Sequence, residues 1–148
     1  MTKKIFKSNI LVAAAVLIFG IACVMAILYQ HFGIQINTEL EKEASYLAYG
    51  VEQNGTDYLK LIKEKDDRIT YIAENGTVLY DNQADADSME NHSDRKEIQE
   101  ALKTGSGHAE RTSKTLSQKT MYYALRLSDN SVLRVSSTQY SVWVLLME

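Results

Sequence analysis

The chain opens with a long apolar run and then changes to a mixed, charged pattern. Residues 10–29 read ILVAAAVLIFGIACVMAILY and contain no charged side chain. At a rise of about 1.5 Å per residue, a helix of this length is about 30 Å long, which matches the hydrocarbon core of a bilayer. The pattern predicts a transmembrane helix, whose limits we place at residues 10–30.

A second helical pattern follows the apolar run. Hydrophobic residues recur there at intervals of three and four, while acidic and basic residues fill the positions between them. This spacing puts the hydrophobic residues on one face of a long helix. We call this face the helical stripe; its members are Leu40, Ala44, Leu47, Ala48 and Val51. The stripe could pack on the rest of the domain, pair with a second copy of the chain in a signalling dimer, or do both.

Five β-rich runs occupy the second half of the chain. They cover residues 68–73, 77–81, 107–114, 120–127 and 131–138, with a short helical pattern at residues 95–103. Asn75 with Gly76, and Asp129 with Asn130, predict two-residue hairpin turns. Both faces of the resulting antiparallel sheet are largely apolar. We therefore expect an α+β domain in which the long helix covers one face and the short helix and loops cover the other.

Charge is distributed unevenly. Lys3, Lys4 and Lys7 precede the apolar run, whereas 18 of the 19 acidic residues lie in residues 31–140. An acidic domain argues against nucleic-acid binding. The basic tail favours a cytoplasmic segment at residues 1–9 and a domain outside the membrane at residues 31–140. A cleaved signal peptide is the alternative interpretation of the same pattern.

The chain contains no recognisable catalytic or metal motif. Cys23 is the single cysteine and lies in the apolar run, so an intramolecular disulfide is excluded. The sequence lacks a zinc-binding pair and a Gly-rich phosphate loop. We predict no enzyme activity, no cofactor and no metal site. Residues 141–148 become apolar again around Trp143, which favours either a last core strand or the start of a second, truncated transmembrane helix.

The order of these segments resembles a known sensor family. The resemblance is carried by RITYIAENGTVLYDN at residues 68–82, MENHSDRKEI at residues 89–98, YYA at residues 122–124 and SVLRVS at residues 131–136. These segments are similar to the PAS-like, or single Cache, extracytoplasmic sensor domain of bacterial histidine kinases, and most of all to the phosphate-regulon type. The resemblance implies a homodimer in the bacterial cell membrane. It also implies a kinase core after the second span, through which alone a response regulator would be reached.

Two groups of residues are candidates for ligand binding. His92 and Arg95 lie between the second strand and the short helix, where an Arg and a helix start could hold an anion; capping of that helix by Ser93 or Asp94 is the alternative. A buried Arg on a central strand needs a counter-charge, supplied by a protein carboxylate or by a ligand. The strand candidates are Tyr123, Arg126 and Arg134.

The acidic loop at residues 81–94 could instead gather cations, although it lacks the frame of a calcium loop. The sequence therefore predicts the sensing region of a two-component histidine kinase. The sensor of a chemoreceptor or cyclic-nucleotide enzyme, and a pilin-like assembly protein, are the alternatives.

Overall fold

The structure, a computed structural model, describes residues 2–62, 67–113 and 118–140. The chain divides between Gln35 and Ile36 into two compact units. Helix α1 spans Thr2–Asn54, and its apolar N-terminal part exposes its hydrophobic side chains. By length and composition, α1 is the one helix in the described part of the chain that could cross a membrane, which supports membrane localisation. The expected second span, at residues 141–148, lies outside the described residues.

The second unit is built on an antiparallel sheet of five strands. Their spatial order is β2-β1-β5-β4-β3. The elements after α1 are α2 (Thr56–Leu61), β1 (Arg68–Ile72), β2 (Val78–Asp81), a 3-10 turn (Ala86–Ser88), α3 (Lys96–Thr104), β3 (Ser106–Ser113), β4 (Gln118–Arg126) and β5 (Val132–Tyr140). The predicted α+β fold, with a five-stranded sheet flanked by a long N-terminal helix, is confirmed.

One face of the sheet packs against the C-terminal part of α1. All five residues of the helical stripe are buried there, in a core shared with Ile69, Leu133 and Val135. Tyr46 and Tyr49 point away from this core and are 75% and 71% exposed. The stripe therefore packs within the folded chain, and a pairing surface on this part of α1 would use its outward side chains instead.

Helix α3 covers one end of the opposite face. Ile98 and Ala101 of α3 pack against Ile72, Ala124 and Val132 of the sheet. The approach is close because Gly107 of β3 has no side chain: a Cβ at this position would collide with the backbone carbonyl of Glu97. The other end of this face carries polar and charged side chains and is not covered by α3.

Both hairpins close through three-residue loops, one residue longer than the sequence predicted. In the β4–β5 hairpin the Leu127 amide donates to the Ser131 carbonyl (2.8 Å), and Asn130 adopts a left-handed φ of 64°. In the β1–β2 hairpin the Ala73 amide donates to the Thr77 carbonyl (2.8 Å), and Gly76 has a φ of 86°. A turn followed by one left-handed residue is the usual three-residue hairpin.

The longer β4–β5 loop changes which side chains share a face. Ala124 pairs with Arg134, and Tyr122 pairs with Ser136. Arg134 therefore lies on the same face as Tyr122, whereas a two-residue turn predicts opposite faces. A register change of one residue exchanges the two faces of a strand, because side chains alternate along it.

Candidate anion-binding site

The uncovered end of the α3 face forms a cavity of about 740 Å³. Strands β1, β3, β4 and β5 and the segment between β2 and α3 contribute its walls. Four arginines line it, together with His92, Tyr122 and several hydroxyl and amide side chains. The arginines are Arg68, Arg95, Arg111 and Arg134.

Arg134 on β5 lies at the base of the cavity and is buried. Its Nη2 donates to Thr70 Oγ1 (3.0 Å), and its Nη1 donates weakly to Glu97 Oε1 (3.4 Å). Its Nε is buried and has no hydrogen-bond partner among the described residues. Burial lowers the pKa of Arg134, with Glu97 opposing the shift. A guanidinium nevertheless stays charged at neutral pH.

Glu97 on α3 holds two of the arginines. Its carboxylate is fully buried and accepts from Arg111 Nη2 at 2.6 Å and 2.9 Å, in addition to Arg134. The Arg111 guanidinium also stacks 4.2 Å from the centre of the Tyr122 ring. Burial acts to lower the pKa of Arg111, but the hydrogen bonds that it makes to Glu97 and Tyr122 outweigh burial and raise that pKa. Arg111 on β3 therefore stays protonated, and the Glu97 carboxylate balances its charge.

Asp81 on β2 holds Arg68. Arg68 Nε donates to both Asp81 oxygens (2.9 Å and 3.1 Å), and Thr70 Oγ1 donates to the same carboxylate (2.8 Å). The Gln83 and Ala84 amides donate to it as well. Burial opposes ionisation of Asp81, but these donors outweigh it and lower its pKa.

His92 and Arg95 form the wall opposite the sheet. The His92 amide donates to the Gly76 carbonyl (2.8 Å), which ties this segment to the β1–β2 turn. Nδ1 of the buried His92 ring and Nε of Arg95 have no hydrogen-bond partner in the described part of the chain. Burial lowers the pKa of His92, and the neighbouring arginines, led by Arg134, lower it further, so the ring is neutral at pH 7.

The alternative role for this segment, helix capping, is wrong. Arg95 occupies the N-cap position of α3, and no side chain makes a capping hydrogen bond there. Ser93 and Asp94 precede the N-cap, and the Ser93 carbonyl accepts from Gln99 Nε2 instead. The segment contributes polar groups to the cavity rather than a cap to α3.

The structure brings three of the five predicted ligand residues together and separates two. His92, Arg95 and Arg134 line the cavity. Tyr123 is buried on the opposite face of the sheet, with its ring centre 4.8 Å from that of His108 in an edge-to-face arrangement. Arg126 shares the face of Tyr122 but lies at the α3 end, where its Nη1 donates to the Leu102 carbonyl (2.8 Å).

Sequence reasoning missed Arg68 and Arg111. Arg111 pairs with Thr120, two residues from Tyr122, so all three share one face. Arg68 pairs with Ser136, two residues from Arg134, and shares that face as well. A search for arginines at alternate strand positions finds them only after the register of the sheet is known.

The acidic loop is not arranged as a cation site. Asp81 turns inward to Arg68, and Asp85 accepts a hydrogen bond from the Asp87 amide at the start of the 3-10 turn. Within the described ranges, no group of three or more His, Cys, Asp or Glu side chains could hold a metal ion. The loop therefore supports the cavity wall through Asp81.

The electrostatics of the cavity suit an anion. Two buried carboxylates, Glu97 and Asp81, contact three of its four guanidinium groups, and the exposed Asp94 carboxylate lies 3.6 Å from the fourth, at Arg95 Nε. Asp67 is the one acidic residue among the described residues that line the cavity. Guanidinium groups pair with carboxylate and phosphoryl oxygens in bidentate geometry. The arrangement presents guanidinium donors of the kind that pair with carboxylate and phosphoryl oxygens.

Comparisons with known proteins bear on the family to which the chain belongs. No curated protein sequence matches the chain. A solved structure described as the extracellular domain of a histidine kinase, rpHK1S-Z16, is similar with a TM-score of 0.43 and 19% sequence identity. The match covers 62% of this chain and 39% of that one, so this chain spans well under half of the solved chain. The model of the Single Cache-like family matches residues 32–133. The chain therefore belongs to the Single Cache-like family of sensor domains.

Proposed function

We propose that the chain is the sensing region of a membrane receptor and that its cavity binds a small anion bearing a carboxylate or phosphoryl group. The observation that carries this proposal is a set of three buried nitrogen atoms with no hydrogen-bond partner among the described residues: His92 Nδ1, Arg95 Nε and Arg134 Nε. Arg95 Nε lies 3.6 Å from Asp94 Oδ1, in an ion pair that is longer than a hydrogen bond. All three belong to side chains that line the same cavity.

Unpartnered buried polar groups are uncommon because each costs about 1–3 kcal/mol when it has lost its water and gained no partner. An anion in the cavity would accept from the arginine nitrogens and, through one of its oxygens, from a protonated His92 Nδ1. Ligand binding would then give these nitrogen atoms hydrogen-bond partners and remove the free-energy cost of leaving them unpaired.

The charge and hydrophobicity pattern of the sequence supports the receptor topology that we propose. Lys3, Lys4 and Lys7 would hold residues 1–9 in the cytoplasm, residues 10–30 would span the bacterial cell membrane, and residues 31–140 would form the sensor outside. Residues 141–148 would begin a second span. With both spans in place, a ligand-dependent rearrangement of the sensor could reach the cytoplasmic side.

The output we propose is that of a two-component sensor histidine kinase of the phosphate-regulon type. The order and spacing of the motifs at residues 68–82, 89–98 and 131–136 support this assignment. Such a receptor would act as a homodimer, and its ATP-dependent kinase core would lie beyond residue 148. The chain itself would contribute ligand recognition and no catalysis.

Calorimetric titration of the full chain in lipid nanodiscs tests the anion site. Phosphate, sulfate, acetate and malonate are the probes, and we expect saturable binding of at least one of them. Arg134→Met should abolish that binding because it removes the central guanidinium. Arg126→Met is the matched control, since Arg126 donates to the Leu102 carbonyl instead of lining the cavity. Absence of binding by all four anions, or equal binding by wild type and Arg134→Met, would exclude the site.

A further inference from the structure

The carboxylate of Glu97, beside the cavity, already makes the kind of contacts with arginine that a ligand anion would make. Glu97 does not line the cavity, but its carboxylate oxygens contact the guanidinium groups of Arg111 and Arg134, which do line it. The distances are 2.6 Å from Oε2 to Arg111 Nη2 and 3.4 Å from Oε1 to Arg134 Nη1. A ligand carboxylate or phosphoryl group belongs to the same chemical class as Glu97 and would seek the same donors.

The fold fixes the position of this carboxylate. Glu97 lies in the first turn of α3, and its residue is 0% exposed. Its backbone carbonyl sits directly over Gly107 of β3, where a larger residue would not fit. The carboxylate therefore cannot reach solvent unless α3 moves. A change in its contacts would change how α3 is held on the sheet.

The two arginines are not held equally. Arg111 makes two short hydrogen bonds to Glu97 and stacks on Tyr122. Arg134 makes one long hydrogen bond to Glu97 and one of 3.0 Å to Thr70 Oγ1, and it lies farther from the Tyr122 ring centre, at 5.4 Å. Its Nε has no hydrogen-bond partner among the described residues. An anion that reaches Arg134 would gain the unpartnered Nε and would compete there with the longer of the two Glu97 contacts.

We infer that Glu97 is an internal counter-anion that a ligand displaces from Arg134 while Arg111 retains it. This inference rests on the proposed anion-binding function and adds its regulation. In the empty state Glu97 links α3 to both β3 and β5, the central strand. In the bound state the link to β5 is lost and the link to β3 remains, so ligand occupancy is converted into a change in how α3 is held on the sheet.

The same arrangement sets the affinity of the site. A ligand anion is bound next to the negative charge of Glu97, in a partly buried region where like charges repel strongly. Removing that charge while keeping the shape of the side chain should therefore tighten binding. If Glu97 served only to position the two arginines, its removal would weaken binding instead.

The test compares Glu97→Gln with wild type in the full chain, by calorimetric titration of phosphate and malonate in nanodiscs. We expect Glu97→Gln to bind on the order of tenfold more tightly. Glu100→Gln is the matched control: it removes the same charge from the same helix, where Glu100 accepts from the His108 amide. Its affinity should equal that of wild type.

The loss of a buried counter-charge also destabilises Glu97→Gln, so its melting temperature is measured with and without phosphate. If phosphate raises the melting temperature of the variant more than that of wild type, the inference is supported, because the anion then replaces the missing carboxylate. Equal or weaker binding by Glu97→Gln, or a variant that stays unfolded in excess phosphate, overturns it. Absence of binding by both wild type and Glu97→Gln overturns the anion cavity itself, whereas equal binding by both removes only the role of Glu97.

Discussion

Arg68 on β1 reaches Asp81 on β2 through a hydrogen-bonded ion pair, with 2.9 Å between Arg68 Nε and Asp81 Oδ2. The Asp81 side chain is fully buried, whereas Arg68 is one-third exposed at the cavity. The pair joins an edge strand to the interior of the sheet and fixes one of the cavity arginines. It is therefore a structural element of the candidate site as well as a stabilising contact.

Asp81→Asn should lower the free energy of unfolding by about 2–4 kcal/mol, because Arg68 and the other donors lose a charged acceptor. The lowered pKa of Asp81 adds a pH effect. Its contribution to stability is present above the unfolded value of 3.8 and is lost as the pH falls through the lower folded pKa. Urea denaturation between about pH 2 and pH 5 measures this. An acid dependence in Asp81→Asn as steep as in wild type would contradict the role of the pair.

His92 should make anion binding dependent on pH. Its pKa in the fold is lowered from 6.5, so its protonation costs stability as the pH falls below 6.5 towards the folded value. A bound anion favours the protonated ring, and the stabilisation by sulfate should therefore grow as the pH falls through this range. Melting temperatures with and without sulfate at about pH 5 and about pH 7.5 give the comparison.

His92→Asn is the control for this prediction, because an amide of similar shape does not titrate in that range. The additional stabilisation by sulfate at the lower pH should disappear in the variant. If the variant retains it, another group is responsible for the pH dependence.

The helical stripe should behave as core. Leu47→Ala should lower the free energy of unfolding by about 2–5 kcal/mol, because Leu47 is buried against the sheet and its truncation leaves a cavity. Tyr46→Ala changes the adjacent residue, which is 75% exposed, and should change stability by no more than about 0.5 kcal/mol. Chemical denaturation of both variants decides the matter. Similar values for the two would show that the stripe does not pack as described.

Gly76 should be required both for the turn and for the cavity wall. Its φ of 86° is unfavourable for other residues, and a Cβ would collide with the Asn91 side chain and the Ser93 backbone. Gly76→Ala should therefore destabilise the fold by about 1–3 kcal/mol. It should also weaken anion binding, because the Gly76 carbonyl accepts from the His92 amide.

Asn130→Gly at the other hairpin provides the comparison, since glycine adopts the observed φ of 64° without strain. Its stability should stay within about 1 kcal/mol of wild type, and its anion affinity should not change. Thermal unfolding and titration of both variants check these expectations. A Gly76→Ala variant as stable as wild type would be inconsistent with the turn geometry.

The sequence predicted the kinds of elements but not the geometry of the site. Periodicity was sufficient for α1, α3 and the five strands, because burial imposes a repeat of 3.6 on helices and 2 on strands. The loop after Leu127 was predicted to be one residue too short. That error placed Arg134 on the face opposite Tyr122 and hid its relation to Arg111.

Loop length depends on whether Asn130 alone, or Asp129 and Asn130 together, adopts a left-handed conformation. Both choices are compatible with those residue types. Tyr123 and Arg126 were selected for their chemistry, but only the register decides which cavity or core their side chains meet. His92 and Arg95 were found because their position before a helix is recognisable without the register.

The cavity draws its arginines from positions 68, 95, 111 and 134, which belong to three different strands and to the residue that precedes α3. No single hairpin contains all of these groups, so we expect a fragment of the domain to lack a complete anion site. Occupancy should therefore slow hydrogen exchange across the entire sheet instead of protecting one segment. Ligand binding at such a site would stabilise the strands together, in addition to the proposed change in the contacts of α3.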